Sequence, residues 1–386
     1  MSASPGTERE LLEALAGALD GSGPPLAPLR EGAHGGPATR ARAEDVPEGT
    51  ALAVTTSGST GEARTVLLSR SALEASGRAT EARLGGPAQW LLALPVHHVA
   101  GLQVLARSIL AGTEPVLLDQ SESFTPEAFA TAAARLTGER RCTSLVPTQL
   151  HRVLASPEGT EALRSFDAVL VGGAATQPSL LEAARAAGAR IVRTYGMTET
   201  AGGCVYDGVP LEGVRVELDP EGRIHLAGPV LATGYLGEPR LTAETFRERD
   251  GERWLRTSDL GSLGEDGALR VLGRVDDVIA TGGVKVAPAA VEARLTELDE
   301  VAEACVVGVP DPEWGALVVG ALVLAPGAKA PALDAVREHV ALSLGAPAAP
   351  RHLLVVPEIP ARGPGKPDRR AVQELAAQAV QHDSRR

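Results

Sequence analysis

Aromatic side chains are scarce in this chain of 386 residues, at 3% of positions, while Ala, Gly and Arg abound. That pattern is a compositional bias and carries no functional signal of its own. Cysteine is also rare: Cys142, Cys204 and Cys305 are far apart and show no metal-ligand spacing, so a zinc framework or disulfide scaffold is excluded. Reduced, buried thiols in a cytoplasmic protein are the expectation. Basic charge is in deficit, 37 Lys and Arg against 49 Asp and Glu, for a net charge of -12. Nucleic acid and an anionic membrane surface are disfavoured as main partners, although a local basic pocket for phosphate is compatible with that balance. Long hydrophobic runs are missing, since stretches such as Ala316 to Ala325 are too short and too β-like to span a bilayer. The N-terminus has no basic region followed by an apolar run, so no secretion signal is visible.

What is present is an ordinary globular balance, 44% hydrophobic and 22% charged, with length enough for two or three cores. Leucines at helical spacing predict a short amphipathic helix over Glu8–Leu19, and Gly21–Pro37 reads as a loop. From Ala51 short apolar runs alternate with helical patterns. Strands are expected at 51–55, 90–94, 115–118, 142–146, 168–171 and 190–194, and helices at 71–84, 101–110, 126–136, 148–154 and 178–187. Such alternation predicts an α/β fold with layered, mostly parallel sheets covered by helices. After Gly213 short strands and turns predict a small β-rich portion. A compact α+β region follows, with helices at 288–298 and 333–342 and strands at 304–309, 317–324 and 353–356. The expected division is a large N-terminal domain over 1–273, a hinge at 274–277 and a small mobile C-terminal domain over 278–386.

Several segments have the residue types for chemistry. Thr56-Ser57-Gly58-Ser59-Thr60-Gly61 is expected to follow a strand and precede a helix. Its glycines and hydroxyls suit phosphate oxygens, yet no Gly-Lys-Ser/Thr closes it as a Walker loop. Tyr195-Gly196-Met197-Thr198-Glu199 lies at a strand end, where Glu199 can hold Mg2+, Thr198 a phosphate and Tyr195 an adenine face. Asp259 follows a strand and can accept both hydroxyls of a ribose. The segment from Gly273 to Lys285 joins a charged junction to the pair Gly282-Gly283, in the manner of a hinge. His97-His98 ends another strand, and no third ligand is spaced to complete a metal site. Lys366 sits on a Gly/Pro turn near the C-terminus. Each segment also has a plain reading: a surface turn, a strand end, a turn-capping Asp, a linker, a backbone-bonded His.

Taken in order, Thr56–Arg64, Tyr195–Glu199, Thr257–Gly261, Gly273–Lys285 and Gly363–Lys366 resemble the motifs of the adenylate-forming superfamily of acyl-CoA synthetases, adenylation domains and luciferases. The likeness spans roughly residues 50 to 370. It implies that Thr56–Gly61 grips the pyrophosphate of ATP and that Gly172-Gly173-Ala174 runs along the adenine. It also implies that Tyr195, Gly196, Met197, Thr198 and Glu199 supply adenine, phosphate and Mg2+ contacts. Asp259 would bind ribose with the help of Arg274, Asp276 would be the hinge, and Lys366 would serve adenylation. Within the superfamily, Leu94–Leu102 and Leu145–Leu150 look most like the o-succinylbenzoate–CoA ligases of menaquinone biosynthesis. By that likeness His98, Thr148 and Gly196 meet the acyl group, and Gly282, Gly283 and Lys285 meet coenzyme A. Where the family has Pro-Lys-Gly this chain has Ala63-Arg64-Thr65, which keeps the charge and changes its geometry.

The resulting expectation is an ATP-dependent acid–CoA ligase that forms an acyl-adenylate and then a thioester, with Lys366, His98, Thr198 and Glu199 at the chemistry. Another aryl- or acyl-CoA ligase, or a free-standing adenylation enzyme loading a carrier protein, shares every nucleotide motif. A non-enzymatic nucleotide sensor fits less well, because Lys366 and Glu199 are both present. A homo-oligomer is left open. Arg107 and Arg152 lie near the acyl segments, and both are expected to be solvated helix residues.

Overall fold

The computed structural model describes residues 5–27, 39–40, 46–57, 63–119, 123–361 and 367–383. At its centre is a seven-stranded sheet in the order Val209–Pro210, Gly202–Tyr206, Ile191–Met197, Ala168–Val171, Arg141–Leu145, Gln89–Leu92, Val116–Leu117. The last five run parallel, and the first two close the edge antiparallel. All four residues of Ala168–Val171 are buried, as a parallel strand covered on both faces requires. Alternate side chains go opposite ways. Trp90, Leu92, Cys142, Ala168 and Leu170 join one core with the helix Val99–Ala111. Leu91, Leu145, Val169 and Val171 join another with Phe129, Leu150, Leu163 and Leu181, from helices on the second face. Four of those helices start with proline (Pro126, Pro147, Pro157, Pro178), whose missing N–H costs nothing at a helix start.

The expected strands of this sheet are found within three residues of their predicted ends. One expectation is corrected. The hydroxyl-rich loop does not lead into a helix: Ala63–Ser69 is a strand, paired antiparallel with Thr50–Ser57, and the helix Arg70–Leu84 comes after it. Thr65-Val66-Leu67-Leu68 combines β-branched and apolar residues; all of Val66, Leu67 and Leu68 are buried, and Val66 and Leu68 join the core cluster. The first element after the 56–61 motif is therefore a strand.

The β-rich portion is an antiparallel sheet in which Glu252–Leu263 pairs with Arg223–Ala227, Phe246–Arg249 and Leu269–Arg274. Its register sets Asp259 directly opposite Arg274. Beyond lie the hairpin Ile279–Thr281/Val284–Val286 and a three-stranded sheet of Val301–Asp311, Gly315–Leu324 and His352–Val355. Helices Pro288–Leu295, Leu333–Leu344 and Arg369–Asp383 cover it. The two core clusters of this region contain no residue from before Ile279.

Candidate active site

The parallel strands end at a cleft of about 2000 Å³, walled on its far side by the C-terminal region. This is the edge of an open α/β sheet at which ligands collect. One wall is a connected set of polar groups. The Tyr195 phenol donates to Asp259 Oδ2 at 2.8 Å, and Arg274 Nη1 donates to Asp259 Oδ1 at 3.3 Å. Arg274 Nη2 also reaches Asp276 Oδ2 at 3.5 Å. Asp259 is buried, and its backbone N–H donates to Thr257 Oγ1 at 3.0 Å, which fixes the carboxylate's direction. Burial raises the Tyr195 pKa far above the usual phenol value, and the negative charge and hydrogen bond of Asp259 add to that. Tyr195 thus stays a donor. Each Asp259 oxygen still has acceptor capacity for a vicinal diol.

Glu199 sits on the 3-10 turn Thr198–Thr200, which the chain holds from below. Thr200 Oγ1 accepts from Met197 N at 2.9 Å, while Ser76 Oγ and Gln103 Nε2 both donate to the carbonyl of Ala201, at 3.1 and 2.6 Å. The Tyr235 phenol donates to Glu199 Oε1 at 2.9 Å. Burial, then the charge of Glu199, raises its pKa as well. Among the described residues no three His, Cys, Asp or Glu side chains converge on a metal site. A Mg2+ ion at Glu199 would take its other ligands from phosphate and water, which is how Mg2+ commonly binds beside a nucleotide. The donor set fits that role.

At the acyl end, His98 opens the helix Val99–Ala111, with the His97 ring 4.3 Å away between centroids. A Cβ on Gly101 would stand 2.3 Å from the Pro95 carbonyl oxygen, so only glycine lets the helix start this close to the strand end. Arg107 lies about two and a half turns beyond His98 and corrects the expectation that it is solvated. It is buried, with its guanidinium carbon 5.2 Å from the Trp90 ring centroid and Nη2 donating to Tyr206 Oη at 3.3 Å. Its Nε has no partner among the described residues, nor has Oε1 of Gln103 one turn earlier. The signal was available: apart from Gln103, Arg107 and Ser108 every residue of Val99–Ala111 is apolar, and a helix so largely apolar is buried, here over residues 101–108. Arg152 is exposed, as expected.

The structure gathers Thr56, Arg64, His98, Thr148, Gly172, Gly173, Ala174, Tyr195, Gly196, Met197, Thr198, Glu199, Asp259, Arg274 and Asp276 around the one cleft. It does not bring Gly282, Gly283 or Lys285 into the lining. Those residues form a tight hairpin in which Gly282 and Gly283 have φ of 55° and 79°, the pair of positive values that a two-residue primed turn demands. Gly58, Ser59, Thr60, Gly61 and Lys366, and the side chain of Ser57, lie outside the described residues. Pro367 and Asp368, immediately after Lys366, do line the cleft. Sequence reasoning missed Gln103, Tyr235 and Arg369, because each acts through a partner distant in the chain.

A cleft with this polar wall, set between an α/β sheet and a small α+β region, is that of an adenylate-forming protein. The chain belongs to the AMP-binding enzyme family, whose model matches residues 9–236, and the model of the family's C-terminal domain matches 290–366. It is 46% identical over 374 residues, 96% of each chain, to a probable 2-succinylbenzoate–CoA ligase of Mycobacterium tuberculosis. Among solved structures it is similar to the o-succinylbenzoate CoA synthetase of Bacillus subtilis in complex with its acyl-adenylate intermediate. That match has a TM-score of 0.71 and 28% identity, covering 84% of this chain and 69% of that one. It is also similar to an amide bond synthetase of Marinactinospora thermotolerans, with a TM-score of 0.76 and 30% identity, covering 90% and 72%. No helix among the described residues is long and apolar enough to cross a membrane.

Proposed function

We propose that this protein is an ATP-dependent ligase that joins 2-succinylbenzoate to coenzyme A through an acyl-adenylate. The observation that carries the reading is the cleft itself. It sets the Asp259 carboxylate, the Glu199 carboxylate and the root of the Lys366 turn around one space. Asp259, oriented by Tyr195 and Arg274, holds the ribose. Glu199 and Thr198, with the 56–61 loop and Arg64, face the phosphates. Mg2+ bound with ATP at Glu199 would offset charge on the phosphates.

A carboxylate is a poor electrophile, and adenylation corrects this. One oxygen of the aliphatic carboxylate attacks the α-phosphorus, the bond to the bridging oxygen breaks, and pyrophosphate leaves. Lys366 stabilises the charge that develops. The coenzyme A sulfur then adds to the acyl carbonyl, giving up its proton, and AMP leaves with the electron pair of the broken C–O bond. In the pose described here Gly282, Gly283 and Lys285 stand outside the cleft. We therefore assign a rotation at Asp276, between units 1–273 and 278–386, that withdraws Lys366 and brings Gly282-Gly283 alongside the thiol arm.

2-Succinylbenzoate has a second, aromatic carboxylate, and the buried guanidinium of Arg107 supports its recognition. A cation held in an apolar wall, with a donor left over, favours an anion over a neutral ring. His98, Thr148 and Gly196 line the same end. With ATP and coenzyme A as co-substrates, the reaction belongs in the cytoplasm.

The test is ATP-dependent pyrophosphate release across a panel of aromatic and aliphatic acids, with and without coenzyme A. Release that requires 2-succinylbenzoate, with product formation saturating in coenzyme A, supports the reading. Release with another acid reassigns the substrate, and turnover indifferent to coenzyme A favours loading of a carrier protein.

A further inference from the structure

Arg369 opens the helix Arg369–Asp383, three positions after Lys366. Its guanidinium binds Glu292 through two parallel contacts, Nη1 to Oε1 at 2.6 Å and Nη2 to Oε2 at 3.0 Å. Nη1 also donates to the Val306 carbonyl at 2.8 Å and approaches Cys305 Sγ at 3.7 Å. The remaining nitrogen, Nε, lies 3.1 Å from Asp277 Oδ2. Glu292 in turn accepts from Val306 N at 2.8 Å, so the fork is braced from both sides. All of Asp277, Glu292, Val306 and Arg369 line the cleft.

Two features give the Asp277 contact a meaning beyond packing. Asp276 and Asp277 are adjacent but pair in opposite senses. Asp276 reaches back to Arg274, which also holds Asp259, whereas Asp277 reaches forward to Arg369. The described residues on either side of Lys366 are also drawn together. Ala361 and Pro367 form an antiparallel bridge, and Asp368 N donates to the Pro360 carbonyl at 2.6 Å. Asp368 Oδ1 then accepts from Ala371 N at 3.2 Å, capping the helix that Arg369 opens. A link fixed at Arg369 is therefore fixed at the base of the lysine turn.

We propose that Arg369 is a positioning residue that ties the root of the Lys366 turn, through Asp277, to the C-terminal side of the hinge. Turning at Asp276 and placing Lys366 are then one motion. The proposal rests on the roles given above to Lys366 and Asp276. Glu292 and Val306 suffice to anchor the helix to its own domain, so the Asp277 arm is the separable part. Arg369 is a poor single probe, since its loss strands Glu292. Asp277 is the better one.

The experiment measures both half-reactions of the full-length chain for Asp277→Asn and Asp277→Glu. For Asp277→Asn, the kcat of adenylate formation should fall about tenfold or more, with the KM for ATP changed less than about twofold. Conversion of supplied acyl-adenylate and coenzyme A to thioester should change less than about threefold, with Tm close to wild type. Asp277→Glu should restore most of the lost adenylation. Amide hydrogen exchange over residues 367–372 should be faster in Asp277→Asn and return toward wild type in Asp277→Glu. Unchanged adenylation, equal loss in both half-reactions, or unaltered exchange overturns the proposal. If the wild type releases no pyrophosphate with any acid, the functional reading has failed, and the exchange measurement still decides whether Asp277 holds the turn's root.

Discussion

Tyr195 and Asp259 lie 64 residues apart in sequence and share a 2.8 Å hydrogen bond that joins the parallel sheet to the antiparallel one. The phenol comes from the end of the strand Ile191–Met197, the carboxylate from Glu252–Leu263. Replacing Tyr195 by Phe removes one donor from a buried, charged acceptor, an interaction worth about 1.5–3 kcal/mol. The KM for ATP should rise roughly 10- to 100-fold, with kcat less affected. Initial-rate kinetics at saturating acid and coenzyme A provide the check, and an unchanged KM would remove Asp259 from the nucleotide site.

Arg107→Gln probes the acid. Loss of a charge-assisted contact predicts a KM for 2-succinylbenzoate about 10- to 100-fold higher. An analogue without the ring carboxylate, 4-oxo-4-phenylbutanoate, should be affected far less. Equal effects on the two acids would reduce Arg107 to a buried partner of Tyr206 and Trp90.

Lys366→Ala should lower adenylate formation by roughly 100-fold or more while leaving thioester synthesis from supplied acyl-adenylate nearly intact. Asp276→Pro should do the reverse, because it restricts φ where the rotation is needed. Rapid-quench assays of each half-reaction distinguish the two patterns.

The cysteines provide a pH test. Burial pushes the thiols of Cys142, Cys204 and Cys305 up to about 12. In the unfolded chain they ionise near the ordinary thiol value of about 8.5. Folding therefore favours the protonated thiol, and this contribution is intact below that pH and is lost progressively as pH rises toward 12. Thermal melts between pH 8 and 11 should show a falling Tm, with Cys204→Ala less steep than wild type. A thiol reagent at pH 8 should label the native protein slowly and the urea-unfolded protein fully.

Much of this was legible in the chain because it is local. Apolar runs of four or five residues between helical periods revealed the parallel sheet. Gly282-Gly283, read from the sequence in the manner of a hinge, is the turn of a hairpin. Sequence failed where a residue's role depends on what folds onto it. The strand Ala63–Ser69 has only a short apolar run, Val66-Leu67-Leu68, to signal it beside a hydroxyl-rich segment, and it is the pairing with Thr50–Ser57 that defines it. The charge of Arg107 predicts exposure, whereas the largely apolar helix around it dictates burial. Tyr235, 36 residues beyond Glu199, gives no local sign that its hydroxyl will meet that carboxylate.

The apolar clusters from Ile279 onward are self-contained, so the proposed swing at Asp276 would unpack none of them. It would break contacts such as the 3.3 Å one from Gln177 Nε2 to the Ala302 carbonyl. Two poses that keep every one of those clusters intact would differ by little free energy, within the reach of a bound nucleotide or thiol to choose between them. Under that proposal, the ligand that fills the cleft would select the pose.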